Sequence, residues 1–160
     1  MNTFETMTDE SKKGQVVGTV LVAKKGGGLA LTPIPIIYNG TVNDRPEWQL
    51  VNPIEHYDEI LQVKLIAPAG YTFDLASIPK VLWSIIAPFE LSILAPLFHD
   101  SIYELKGHMD ESHCVPISEL TRSDADGLFL RLMQLEGITR WKRNAAYAAV
   151  RAAGSLYWDN

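Results

Sequence analysis

Hydrophobic and polar positions follow different periods in the two halves of the chain. Between Val16 and Phe73, short runs rich in β-branched and aromatic residues alternate with turn signals, which predicts antiparallel strands. Pro33 and Pro35 lie in one of these runs. Because proline cannot donate to a strand ladder, we expect that run to be an edge or irregular strand. The predicted strands lie at Val16–Ala23, Leu29–Tyr38, Trp48–Val51 and Ile60–Ile66.

After Phe73 the apolar positions recur every three or four residues, which predicts helices. Ser77 is a candidate N-cap with Pro79 in the first turn, and the polar stretch from Gly107 to Thr121 predicts a loop. The predicted helices lie at about Ser77–Ile86, Ile93–Leu105, Ser123–Gly137 and Trp141–Leu156. We therefore expect an α+β fold, with a small N-terminal antiparallel β-sheet followed by a bundle of about four α-helices.

Length and composition fit one globular domain. The chain has 160 residues, of which 47% are apolar and 21% charged, which is enough for a hydrophobic core. We expect residues 15–160 to form this domain and the polar residues 1–14 to form a flexible N-terminal arm. The net charge of −5 argues against a nucleic-acid binder, whose surface is usually basic. The single cysteine, Cys114, excludes an intramolecular disulfide framework.

Targeting signals are not apparent in the sequence. The N-terminus lacks a basic segment followed by an apolar run, so no signal peptide is expected. The longest apolar region, from Val81 to Phe98, is interrupted by prolines and polar residues, so no transmembrane segment is expected either.

Three polar residues lie inside the apolar helix predicted at Ile93–Leu105: His99, Asp100 and Tyr103. Burial of an imidazole and a carboxylate costs several kcal/mol unless both groups have partners. His99 and Tyr103 are neighbours at i, i+4 on a helix, whereas successive residues project about 100° apart. We therefore expect His99 and Asp100 to face different partners, in a structural hydrogen-bond network or in a chemical site.

Asp126, on the next predicted helix, is a candidate partner of His99. A carboxylate there would fix the imidazole tautomer and leave the other nitrogen free to activate water. Asp100 could meanwhile hold a hard cation such as calcium through its oxygens. This arrangement is suited to ester hydrolysis, with His99, Asp126 and Tyr103 as catalytic candidates and Asp100 as the metal candidate.

The same polar residues also have purely structural interpretations. Asp74 could cap the turn before the Ser77 helix, Asp126 could be a capping-box acid after Ser123, and Asp124 would favour the helix dipole. Arg122 is most simply a salt-bridge partner of one of these acids. We assign Asp74, Ser77, Arg122 and Asp124 to a structural network.

Other polar clusters carry weaker signals. A loop contains His108, His113 and Cys114, but not at a recognised zinc spacing. A basic stripe on the last helix is more typical of a solvated face than of a phosphate track; it comprises Arg140, Lys142, Arg143 and Arg151. The chain has no G-x-S-x-G elbow, Walker loop or H-E-x-x-H motif. A metal-dependent phosphohydrolase would need a histidine on an earlier helix, and the only upstream one, His56, lies in an apparent loop.

Three motifs in order resemble an uncharacterised family of tailed bacteriophages and prophages. They are G-Y-T-F-D-L-A-S-I-P-K-V-L-W from Gly70, L-F-H-D-S-I-Y from Leu97 and R-S-D-A-D-G-L-F from Arg122. The resemblance runs from about Trp48 to Trp158, with Phe73 where the family usually has threonine before the aspartate. It implies a phage or prophage origin and a gene of the virion or tail region.

A second, local resemblance implies a chemistry. H-D-x-x-Y followed by an acid-bearing helix resembles the core of secretory and parvoviral phospholipases. By position, His99 would be the base, Asp100 the calcium ligand and Asp126 the orienting acid, with Tyr103 as support. The usual glycine-rich calcium loop and stapling cysteines are missing, so the resemblance is an analogy.

Two hypotheses follow. The first is a virion-associated, tail-region phage protein with a structural or assembly role, in which the His-Asp-Tyr cluster is a network and the partners are other virion proteins. It would be found in the virion or in the host cytoplasm during assembly. The alternative is a calcium-assisted His/Asp hydrolase, a phospholipase-like esterase that acts on lipid or another ester of the host cell envelope.

Overall fold

A computed structural model describes residues 15–43, 45–73 and 93–160. The elements of this part of the chain are β1 (Gln15–Ala23), β2 (Leu29–Val42), β3 (Arg45–Leu50), β4 (Ile54–Asp58), β5 (Val63–Ala67), β6 (Thr72–Phe73), α1 (Leu94–Glu104), β7 (His108–Met109), β8 (Cys114–Val115), β9 (Ser118–Glu119), α2 (Arg122–Leu135) and α3 (Arg140–Trp158). The arm predicted at residues 1–14 and the helix predicted at Ser77–Ile86 lie outside the described residues.

The first sheet has the strand order β1-β2-β3-β6 and is antiparallel throughout. Of the two alternatives predicted for the proline-containing strand, the edge position is wrong, because β2 lies between β1 and β3, whereas the strand is irregular, with a register shift between Tyr38 and Gly40. Pro33 and Pro35 have register partners on β1 only, and the β3 ladder begins at Ile36, although the Pro35 carbonyl oxygen accepts the amide of Val51 at 3.0 Å just beyond the end of β3. The prolines are therefore tolerated in the half of β2 where the ladder is incomplete on one side.

The second sheet has the order β4-β5-β8, and β7 and β9 form a separate two-stranded ribbon. The strand predicted at Ile60–Ile66 begins at Val63 in the structure, three residues later than predicted. The Asp58 carboxylate accepts the backbone amides of Ile60 and Leu61 at 3.1 and 2.8 Å, which holds these residues in a turn. Ile60 is accordingly 71% exposed.

Three of the predicted helices are present in the described residues, with ends within a few residues of prediction. Helix α2 begins at Arg122, close to the predicted start, but Ser123 as its capping residue is wrong, since Thr121 is the N-cap and forms a capping box with Asp124. The interpretation of Asp126 as the capping-box acid is therefore wrong as well. Asp124 occupies that position and leaves Asp126 to turn inward.

The predicted fold class is also wrong. Instead of a small sheet followed by a bundle of about four helices, the described residues form nine strands in three antiparallel sheets, with three helices in the C-terminal part. The stretch from Gly107 to Thr121, predicted as a loop, contains three of these strands. Strands of two residues carry no measurable period, so the hydrophobic pattern could not reveal them.

One hydrophobic core joins the sheets to the helices. The largest fully buried side chains come from both parts and include Ile34, Ile36, Leu50, Leu65, Leu94, Phe98, Leu128 and Phe129. A buried ion pair crosses the same boundary: Arg131 of α2 donates to both oxygens of Asp58 at 2.9 Å. Among the described residues, no helix is long and apolar enough to cross a membrane.

Candidate functional site

A buried carboxylate, that of Asp126, is the centre of the predicted site. Its side chain is fully buried and accepts three hydrogen bonds. His99 Nε2 lies 2.8 Å and the Tyr103 hydroxyl 2.7 Å from Oδ1, and Arg151 Nη1 donates to Oδ2 at 2.8 Å. All three catalytic candidates from the sequence are thus brought together, and Arg151 completes the group. We call these four residues the Asp126 cluster.

Each helix contributes to the Asp126 cluster through its own spacing. On α1, His99 and Tyr103 are one turn apart and their rings lie 4.2 Å apart between centroids. On α2, Phe129 follows Asp126 by nearly one turn and packs against the imidazole at 5.0 Å. Arg151 reaches the same carboxylate from α3. The Asp126 cluster therefore holds three helices together at a single point.

Gly154 lets α3 come close to α1. A Cβ atom built at Gly154 would overlap the Tyr103 hydroxyl and would lie 3.1 Å from Arg122 Nη1. Glycine inside a helix costs about 1 kcal/mol relative to alanine, so its place here has a packing reason. One turn earlier, Arg151 also accepts a hydrogen bond from Arg122 at its carbonyl oxygen, at 3.3 Å.

The electrostatics of the site favour a charged imidazole. Burial lowers the pKa of His99, but the Asp100 and Asp126 carboxylates raise it by more, so that the net pKa is above its usual value. His99 Nδ1 lies 3.9 Å from Asp100 Oδ1, which is within ion-pair range but beyond hydrogen-bond length. The imidazolium therefore has a carboxylate on each side.

The environment of the site lowers the pKa of Asp126 and raises the pKa of Tyr103. Burial raises the pKa of Asp126, but hydrogen bonds from His99, Tyr103 and Arg151 lower it by more. Burial and the neighbouring Asp126 carboxylate raise the pKa of Tyr103. Near neutral pH the Asp126 cluster thus contains an anionic Asp126, a neutral Tyr103 and a cationic Arg151.

The other residues predicted for the site do not belong to the Asp126 cluster. Asp100 lies beside His99 with about a quarter of its side chain exposed, and Asp124 caps α2. Asp74 and Ser77 lie outside the described residues, so their predicted roles stay predictions. No group of three or more His, Cys, Asp or Glu side chains within residues 15–43, 45–73 and 93–160 is arranged to hold a metal ion.

The histidines of the predicted polar loop have partners of their own. His108 pairs with Glu119 at 2.6 Å, and His113 Nδ1 lies 2.8 Å from Asp110. Hydrogen bonds from Ser112 and His113 lower the pKa of Asp110 to about 2. These contacts of His108 and His113 thus stabilise a turn and the ends of short strands.

The sequence reasoning missed Arg151, which it assigned to a solvated basic stripe. A signal was available: Arg151 and Gly154 are three residues apart and so share one face of α3. A glycine inside an alanine-rich helix indicates a close approach to another element. An arginine on that same face is then a candidate ion-pair partner of a buried acid rather than a solvated side chain.

Comparison with known proteins identifies related sequences. The family described as "Protein of unknown function (DUF1353)" matches residues 48–150, more than half of the chain. The uncharacterised protein y4jT of Sinorhizobium fredii is 33% identical over 112 residues, which cover 69% of this chain and 30% of that protein. The chain thus matches only about a third of the length of this curated relative. No solved structure matches the chain.

Proposed function

The chain belongs to the DUF1353 family, and we propose that it is a bacteriophage virion-associated protein of the tail region in which the Asp126 cluster is structural. The observation that carries the structural role is the set of donors around the fully buried Asp126. They come from two other helices and satisfy both carboxylate oxygens. Such a group fixes the arrangement of three helices.

The charge state of His99 supports a structural role over a catalytic one. A general base must accept a proton, and the raised pKa of His99 keeps its imidazole protonated at pH values where the usual histidine is neutral. His99 is also buried, with a relative exposure of 4%. An imidazolium between two carboxylates is well placed to stabilise packing and poorly placed to activate water.

The phage assignment has a different basis. It is supported by the resemblance of the Gly70, Leu97 and Arg122 motifs to a family of tailed bacteriophages and prophages. Its partners are then other virion proteins. To test it, particles would be induced from a strain that carries the gene, purified on a density gradient and probed with an antibody to this chain. We expect a constant amount per particle, and its absence from purified particles would contradict the assignment.

The structural role of the Asp126 cluster is tested separately, by urea unfolding of Asp126→Asn. Asparagine keeps the shape of the side chain but leaves Arg151 without its counter-charge and His99 with one neighbouring carboxylate instead of two, so we expect a loss of about 3 kcal/mol in the free energy of unfolding. Asp124→Asn is the control on the same helix, for which only a weakened cap is expected, at most about 1 kcal/mol. A variant Asp126→Asn as stable as the control would rule out the structural role.

A second candidate function is the calcium-assisted His/Asp hydrolase acting on an envelope ester. One observation favours it: Asp126 orients His99 through Nε2 at 2.8 Å, while Nδ1 faces the partly exposed Asp100. Titration calorimetry with calcium is the first test, with Asp100→Ala as the variant that should lose the heat of binding. If the wild-type protein binds no calcium at millimolar concentration, this candidate is excluded, and the structural proposal is unaffected.

A further inference from the structure

The backbone of β1 pairs with β2 on one side, and in the part of the chain that the structure describes no strand pairs with its other side. Pro35 offers its carbonyl oxygen to the amide of Val51, on the β3 side of β2. The N–H and C=O groups of one strand residue point to the same side, and residues two positions apart point alike. The carbonyl groups of Pro33 and Pro35 therefore both face the β3 side of β2. Val17–Pro35 and Thr19–Pro33 are accordingly non-hydrogen-bonded pairs of the β1–β2 ladder. The polar backbone groups of Val17, Thr19 and Leu21 therefore point away from β2.

The end of this edge is already capped. The amide of Ala23, which has the same parity as Thr19, donates to His56 Nδ1 at 3.1 Å. This contact confirms the direction of the odd-numbered amides and closes the edge at Ala23. Within the described residues, β1 pairs with β2 alone, so the groups from Val17 to Leu21 form a short open ladder.

This open ladder lacks the usual protection against pairing. Natural edge strands are protected by lysines, prolines, bulges or inward charges. The β1 sequence, Q-V-V-G-T-V-L-V-A, has no charge and no proline, and its pairing with β2 is regular over nine residue pairs. Next to it, Leu31, the cross-strand partner of Leu21, is 75% exposed.

We propose that β1 pairs antiparallel with β1 of a second copy of this chain, about a two-fold axis at Thr19. In this register Thr19 meets Thr19 of the other copy, and Val17 meets Leu21. About six backbone hydrogen bonds form, and both open ladders are satisfied together. The absence of charge lets two chains of net charge −5 meet without like charges at the contact.

The second copy is favoured over an unrelated partner by this self-complementarity, since one contact closes both edges and leaves none. The two first sheets then join into one continuous sheet. A single strand pair is smaller than the ~1,200 Å² usual for stable complexes. We therefore expect a reversible dimer with a dissociation constant in the micromolar range.

The first test is sedimentation velocity of the full chain from low to high micromolar concentration. The wild-type protein should pass from 17.8 kDa toward twice that mass. Thr19→Lys, which places two lysines opposite each other at the axis, should remain a monomer at all concentrations. Leu31→Lys adds the same charge one strand away from the edge and should dimerise like the wild type.

Several outcomes would overturn the proposal: a wild-type protein that stays monomeric, a Thr19→Lys variant that still dimerises, or growth beyond a dimer. A positional test accompanies the first. Residues opposite each other in a hydrogen-bonded pair have Cα atoms about 5.5 Å apart, which a disulfide can span. Thr19→Cys should therefore form a covalent dimer under oxidation and Leu31→Cys should not, while the native Cys114 is buried. Equal cross-linking of both variants would count against this register.

Discussion

At the scale of single residues, two buried histidines have pKa values that are shifted in opposite directions. His99 has carboxylates on both sides, and its pKa is raised. His56 accepts the amide of Ala23 at Nδ1, and burial lowers its pKa, although Asp58 opposes this. One histidine therefore stabilises the fold as a cation and the other as a neutral ring.

This difference predicts opposite pH dependences of stability. A raised folded-state pKa gives a contribution that is present below 6.5, the usual histidine value, and is lost as the pH rises through the raised pKa. The lowered pKa of His56 gives a contribution that is present above 6.5 and is lost as the pH falls. Each proton that is bound in only one of the two states changes the slope of the free energy of unfolding against pH by up to about 1.4 kcal/mol per pH unit.

The check is urea unfolding between about pH 4.5 and about pH 8.5, which is about two units on either side of the usual histidine pKa. His99→Gln should remove part of the alkaline decline in stability, and His56→Asn, which keeps an acceptor near Ala23, should remove part of the acid decline. Equal slopes for the two variants and the wild type would contradict both assignments. The lowered pKa of Asp126 adds a loss of stability as the pH falls below about 4.

At the scale of elements, the contact between α1 and α3 depends on Gly154. In an exposed helix, Gly→Ala stabilises by up to about 1 kcal/mol. Here the added methyl group would overlap the Tyr103 hydroxyl, so we expect Gly154→Ala to lower the free energy of unfolding by about 1–3 kcal/mol. Ser155→Ala, at the exposed neighbouring position, should change it by less than about 0.5 kcal/mol. A stabilised Gly154→Ala variant would show that the two helices are less close.

Helices were more predictable than strands at this scale, for a physical reason. α2 and α3 bury one face over fourteen or more residues, so their period is repeated several times, and α1 is buried at eight of its eleven positions. β7, β8 and β9 have two residues each and are specified by partners distant in sequence. The position of Pro33 and Pro35 in a central strand was unpredictable because it depends on where the neighbouring strand β3 ends.

The candidate site was predictable in part. The meeting of His99, Tyr103 and Asp126 follows from helical spacing and from the cost of burying a lone histidine or carboxylate. The assignment of Asp124 and Asp126 depended on whether Thr121 or Ser123 begins α2, and a shift of two residues exchanges their roles. Arg151 was missed because a charge on a helix is usually solvated, and only the tertiary fold brings it to Asp126.

At the scale of the whole molecule, the Asp58–Arg131 ion pair joins the sheets to the helices. Asp58 is 4% exposed and Arg131 32% exposed. Because the arginine is partly solvated, we expect Asp58→Asn to cost about 2 kcal/mol, below the value for a fully buried pair. The control is the exposed pair Lys64–Glu55, at 3.2 Å on the same sheet, for which Glu55→Gln should cost less than about 0.5 kcal/mol. Thermal unfolding of both variants is the measurement, and equal midpoints would contradict a coupling role for Asp58.

The Asp126 cluster also has a consequence for synthesis on the ribosome. Asp126 is made 25 residues before Arg151, and at 5–20 residues per second this delay lasts about 1–5 seconds. During that interval, closing α1 onto α2 would bury a carboxylate whose second oxygen has no cation. We therefore expect α1 and α2 to close fully on each other only when α3 brings Arg151 to that oxygen. The order of synthesis makes the docking of α3 the step that closes the helical part of the molecule.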